Sequence, residues 1–228
     1  MSEAAERRIV ARTASALMLV ALVGFVVLTA LAARAYPGGT YCEPDATGYR
    51  FWGNFFCDLT GPVTGRGEDN SRSAALAEAA FASFACGWAP FFWLLGDLAA
   101  RRSVRNFGLL SALATVVLAW LPSRAGPNLH AVAVFGATIP GLLAAGLGVG
   151  GLWRRRARDR RAGQVGLLGI ATFAAGLADA LGYSYALVTH AGCLPWLPAL
   201  QKVVALLLLA WMFGVAVVGA RERTSSGG

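Results

Sequence analysis

An all-α polytopic membrane protein, a bundle of six transmembrane helices with a long structured first outer loop, is the fold this sequence predicts. Three observations carry the prediction. Of 228 residues 57% are hydrophobic and only 14% charged, where a soluble domain usually carries about 25% charged residues. The apolar residues fall in six blocks on the scale of about twenty residues that a helix needs to cross a bilayer. The basic residues, finally, cluster between those blocks in the biased pattern that sets membrane topology. A chain this small cannot hide so much apolar surface in one core, so lipid has to solvate it, and one membrane domain spanning 1–228 is expected.

The first block covers about 13–33 and the second 74–99. The third, 107–121, is the shortest and has to borrow flanking residues to span. The fourth covers 130–153, the fifth 163–188 and the sixth 195–220. No long apolar–polar alternation suggests a membrane barrel. At the start, Arg7, Arg8, Arg12 and the later Ala33-Arg34-Ala35 resemble a cleavable leader. The apolar run between them is about twenty residues, longer than the 7–15 of a signal core, which favours a retained first span.

Orientation follows from the twenty Lys and Arg residues. With the N-terminus inside, fourteen are cytoplasmic: Arg7, Arg8, Arg12, Arg101, Arg102, Arg105, Arg154, Arg155, Arg156, Arg158, Arg160, Arg161, Arg221 and Arg223. Six lie elsewhere: Arg34, Arg50, Arg66, Arg72, Arg124 and Lys202. Positive residues resist translocation, so both termini are expected in the cytoplasm and the protein in the cytoplasmic (inner) membrane of a bacterium. Trp52, Trp120 and Trp196 fall at outer boundaries and Trp93 and Trp153 towards inner ones, as aromatic belts do. The net charge of +8 is accounted for by this clustering, so nucleic acid is not expected as a partner.

Glycines in the fourth and fifth blocks and alanines in the second allow close helix approach. Pro90 and Pro140 each remove a backbone donor inside a span. Gly146-Leu147-Gly148-Val149-Gly150-Gly151 superficially matches a dinucleotide loop but has no preceding strand, so no cofactor is expected.

The outer loop, 34–73, is long enough to be structured or functional. Its sequence, from Tyr36-Pro37-Gly38-Gly39 through Asn54 and Asp58 to Gly67 and Asn70, followed by His130 opening the fourth span, resembles an uncharacterised bacterial six-span membrane protein family. That family is known as a domain of unknown function, distantly similar to the DRAM-like eukaryotic membrane proteins. The resemblance implies the six-span layout and lends no activity.

Candidate site residues are those whose polarity is out of place near or within the membrane. Asn54, Asp58, His130 and His190 are expected near the outer face, where a carboxylate and imidazoles could act as acid and base or bind a metal. There is no HExxH and no paired CxxC, so Asp58, His130 and His190 would have to converge from distant parts of the chain. The plainer expectation is that Asp58 and Asn54 cap backbone groups in the loop. Deeper, Asp179 is about nine residues, roughly 13 Å, inside the fifth helix, and Lys202 lies beside Gln201 in the sixth. Isolated charges are costly in hydrocarbon, so an Asp179–Lys202 pair is expected, with Tyr183 one turn away. That pair is either a clamp between helices or part of a ligand pocket. Asp97 is expected to pair with Arg101 at i+4. Of the cysteines, Cys42, Cys57 and Cys193 face the oxidising side. Cys42–Cys57 is the first disulfide expected and Cys57–Cys193 the second.

The leading functional expectation is a non-enzymatic membrane protein that binds or senses a lipid or small amphiphile at its outer face. An intramembrane enzyme using Asp58 with His130 or His190 is one alternative. A small transporter with Asp179 in its pathway, assembled as a homo-oligomer, is another. Membrane lipids are the expected partners.

Overall fold

The structure, a computed structural model, describes residues 2–119, 127–157 and 159–221. Among these it is all-α, with six long helices: α1 Glu3–Ala35, α2 Ser71–Ala99, α3 Arg102–Ala119, α4 Pro127–Arg155, α5 Arg160–Thr189 and α6 Trp196–Arg221. A single 3-10 turn, Phe56–Thr60, lies in the long loop between α1 and α2. Five of the helices (α1, α2, α4, α5 and α6) are long and apolar enough to cross a membrane. The described part of α3 opens with Arg102, Arg105 and Asn106, which lowers its apolarity below that of the others. The end of the expected third span, with Trp120 and Arg124, lies outside the described residues.

Local chemistry marks the helix ends. The Ser2 side chain caps α1 by accepting from the Ala5 N–H at 3.3 Å. Asp159 caps α5 by accepting from the Arg161 N–H at 2.8 Å. Helix α2 stops in a left-handed residue, Ala100 (φ 52), whose N–H returns to the Asp97 carbonyl while Arg101 donates to Gly96. Arg101 is therefore off the α2 register. The ion pair of Asp97 runs instead to Arg105 on α3, Nη1 to Oδ1 at 3.3 Å, which corrects the expected i+4 partner.

Helix α2 is central and packs on α1, α3, α4 and α6, while α5 closes the ring between α4 and α6. Its aromatic side chains Phe91 and Phe92 are wholly buried with Trp211 of α6. Hydroxyls tie neighbouring helices where lipid offers no partner. Trp88 Nε1 donates to Ser111 Oγ (2.9 Å), which donates to the Ala137 carbonyl (2.7 Å), joining α2, α3 and α4. Ser83 donates to the Ala21 carbonyl (3.0 Å) and Ser15 to the Ala216 carbonyl (3.3 Å). Outward faces carry exposed apolar residues such as Val20, Leu113, Val132 and Leu181, the pattern expected where lipid is the solvent.

The two ends of the bundle differ. At one, the α1–α2 loop folds into a cap over the helix ends. At the other lie the α2–α3 and α4–α5 turns with Arg102, Arg105, Arg154 and Arg155.

Candidate functional site

Residues 36–70 form the cap, built from backbone pairing that its glycines permit. Gly38 (φ 150) and Gly39 (φ 89) let the chain turn back so that Gly38 bridges Thr47 and the Gly39 N–H reaches the Ala46 carbonyl at 2.7 Å. A side chain at Gly38 would collide with that carbonyl. The Tyr36 hydroxyl donates to the Gly39 carbonyl at 3.1 Å. A second bridge, Val63 to Asp69, closes the far half of the cap. Buried Asn70 holds that half by donating to the carbonyls of Gly61 (2.7 Å) and Leu59 (3.3 Å).

Asn54 is the hub. It is fully buried, and its Oδ1 accepts from the Arg50 N–H at 2.9 Å. Its Nδ2 donates to the Gly39 carbonyl at 2.6 Å and to Asp58 Oδ2 at 3.0 Å. Asp58 Oδ2 also accepts from the Phe55 N–H at 2.9 Å. This is the backbone-capping role expected of Asn54 and Asp58, and it leaves that carboxylate oxygen engaged inside the cap.

Lys202 of α6 is the attachment point. At 0% exposure it is among the largest wholly buried side chains of the protein. Its Nζ donates to the Asn54 carbonyl at 2.6 Å and reaches Gln201 Oε1 at 3.5 Å. It also lies 4.0 Å from the centre of the Phe56 ring, within cation–π range. Gln201 completes the latch by accepting from the Phe56 N–H at 2.9 Å. Lys202 and Gln201 thus hold the cap by its backbone, across about 145 residues of chain.

The expected Asp179–Lys202 ion pair is not formed, because the lysine turns up to the cap. Among the described residues no ion pair or hydrogen bond to Asp179 is present, and it lies only in electrostatic range of Lys202. Asp179 is half-buried, and one turn on, the ring of Tyr183 meets Phe135 of α4 at 6.1 Å.

A disulfide makes the second attachment. It joins Cys42 of the cap to Cys193 in the α5–α6 turn, with Cα atoms 5.0 Å apart, and leaves Cys57 free. Both expected pairings are thereby corrected. The pairing of Cys42 with Cys193 arises because the cap folds back over the α5–α6 turn, where Tyr41 also donates its hydroxyl to the Gly192 carbonyl at 3.0 Å. Cys57 is turned inward in the 3-10 turn. Burial, and secondarily the Asp58 charge, pushes its thiol up to about 12, against a lowering pull from Lys202. Burial likewise raises the Tyr49 phenol, whose hydroxyl has no hydrogen-bond partner among the described residues.

The histidines do not join this network into a metal site. His130 is buried in the first turns of α4, while His190 is exposed and serves as the left-handed C-cap of α5 (φ 48). Among the described residues no three His, Cys, Asp or Glu side chains are grouped to hold a metal ion. Among the described residues, Asp58, His130 and His190 are therefore not grouped as the three ligands of a metal ion. Gln201 and Asn70 matter more to the site than their sequence positions suggested. The only signal was a polar residue at a membrane boundary. Set against known protein families, curated proteins and solved structures, the chain matches none of them.

Proposed function

We propose that this is a non-enzymatic, six-span protein of a bacterial cytoplasmic membrane, with both termini cytoplasmic, that binds a lipid or small amphiphile beneath its cap. The bias of basic residues supports the orientation, since Arg102, Arg105, Arg154 and Arg155 gather at the end away from the cap. Helix α3 serves as the sixth span, antiparallel between α2 and α4. Membership of the DRAM-like six-span family would account for the layout and for the conspicuous cap sequence.

One observation carries the binding reading: Asp179, half-buried within α5, has no hydrogen-bond or ionic partner among the described residues, because Lys202 is committed to the cap. A carboxylate in a span is costly unless something meets it. A ligand with a hydroxyl or cationic head and an apolar tail would do so, with Tyr183 beside it. The engaged Asp58 favours this over hydrolysis at the cap.

Native mass spectrometry of the detergent-purified protein tests the reading, with elemental analysis for zinc alongside. A stoichiometric lipid or amphiphile retained by the wild type and lost from Asp179→Asn is the expected result. The same adduct on both proteins would refute the role of Asp179. A stoichiometric metal lost from Asp58→Asn would replace this reading with the enzyme.

A further inference from the structure

A second site lies at the opposite end of the bundle, where α1, α2 and α3 enclose a groove of about 900 Å3. That volume is at the upper end of the roughly 300–1,000 Å3 typical of small-molecule sites. Its walls are apolar: Leu17 from α1, Pro90 from α2 and Leu109 from α3. Leu17 and Leu109 are each more than half exposed, so the groove opens sideways from the bundle. Its mouth is different. Arg102 and Asn106 project there from the first turns of α3, both exposed.

Asp97, near the end of α2 beside the mouth, is taken by Arg105 at 3.3 Å. The Arg105 guanidinium also lies 4.9 Å over the Trp93 ring, and its stem crosses Gly96, where no side chain blocks it. Arg105 and Trp93 thus form a rigid wall. Among the described residues Arg102 makes no ion pair, and it lines the apolar groove together with Asn106. Apolar walls, an interfacial tryptophan and an unpaired guanidinium at one mouth complement a molecule that is long and apolar with an anionic head.

We propose that this groove binds one anionic phospholipid from the leaflet opposite the cap. Its acyl chain lies between Leu17, Pro90 and Leu109, and its phosphate lies against Arg102 and Asn106. The proposal rests on the membrane-spanning reading above but not on the ligand beneath the cap. A guanidinium suits phosphate because it offers paired N–H donors in a planar fork, and a basic residue near an anionic leaflet is drawn to it. The groove faces lipid along its length, so entry requires no opening of the bundle.

Cys86 provides a built-in reporter, since it lines the groove as an exposed free thiol. The full-length protein is reconstituted in bilayers of phosphatidylcholine alone or with phosphatidylglycerol. A neutral, membrane-permeant maleimide is added, and the alkylation of Cys86 is followed by peptide mapping. Phosphatidylglycerol is expected to slow Cys86 alkylation by about fivefold, the factor one basic contact near the surface supplies. Arg102→Gln should abolish that difference and Arg102→Lys should keep most of it. Equal rates in the two bilayers for the wild type would overturn the proposal. So would an unchanged lipid effect in Arg102→Gln, which would mark a bulk property of the bilayer. Cys86–Cys86 cross-linking between copies that competes with the lipid would assign the groove to a second copy and overturn it as well. Asp179→Asn should leave Cys86 protection intact. Loss of one effect without the other therefore identifies which reading failed, and a protein extracted from membranes by alkaline carbonate would end both.

Discussion

Asn54→Ala is the substitution that most directly tests whether the cap is a latched structure. Asn54 makes two bonds to neutral backbone groups, from the Arg50 N–H and to the Gly39 carbonyl, and one to the Asp58 carboxylate. A neutral hydrogen bond contributes about 1 kcal/mol net and one to a charged group about 2. Their sum is about 4 kcal/mol, and water entering the vacated space returns part of it, leaving about 3. The loss acts on local opening of the cap rather than on the bundle, because every partner is in the cap. Cys57 reports that opening, since in the closed cap it is half-buried and its thiol is held protonated by desolvation. In a Cys86→Ser background, with the Cys42–Cys193 bridge intact, the rate of Cys57 alkylation is proportional to the open fraction. About 3 kcal/mol then corresponds to a rise of about 100-fold. Asn54→Asp should open the cap at least as far, because it replaces both Nδ2 donors with an acceptor facing the Gly39 carbonyl and Asp58. An increase of less than about fivefold in Asn54→Ala, or Asn54→Asp milder than Asn54→Ala, would refute the hub assignment.

The pH dependence of the same reaction has a definite sign. The closed cap holds Cys57 as a thiol up to about 12, whereas an open cap releases the proton near the ordinary 9.0. The contribution to closure is complete below pH 9 and is lost as pH rises from there towards 12. In that window each pH unit favours opening by about 1.4 kcal/mol. Cys57 alkylation should keep climbing about tenfold per unit where a free small thiol levels off; a plateau near pH 9 would contradict it. Packing gives a paired test in the bundle. A Cβ on Gly169 would lie 2.7 Å from both Trp211 and Val149, while one on Gly136 would meet nothing within 4 Å. Gly169→Ala should lower stability by about 1–3 kcal/mol in thermal unfolding of the purified protein. Gly136→Ala should be neutral or stabilising, and equal effects would remove the close-approach argument.

The helices were legible because lipid imposes a simple rule on sequence. A backbone in hydrocarbon has to satisfy its own hydrogen bonds, so apolar runs of about twenty residues become helices whatever their neighbours do. Blocks one, two, four, five and six each fall inside an observed helix to within a residue of its ends. The cap's dependence on Asn54 and Asp58 was also legible, since short polar side chains in a turn-rich loop bond nearby backbone. The partners of Asp97 and Lys202 were not. Spacing of i+4 presumes a continuing helix, and α2 ends in the left-handed Ala100 before Arg101 is reached. For Lys202, comparable depth in a hairpin pointed to Asp179, but a long side chain has several partners within reach. The cap supplies a carbonyl and an aromatic face at close range.

By itself, then, the sequence determined what depends on nearby residues: where apolar runs begin and end, and which charges are out of place. Tertiary structure alone decided the cysteine pairing, the commitment of Lys202 to Asn54 rather than Asp179, and the groove between α1, α2 and α3. Each of these joins segments far apart in the chain. The physical reason is one of range. Solvation and backbone geometry act on neighbouring residues and leave a periodic trace in the sequence, whereas a contact across 145 residues depends on how whole helices pack and leaves none.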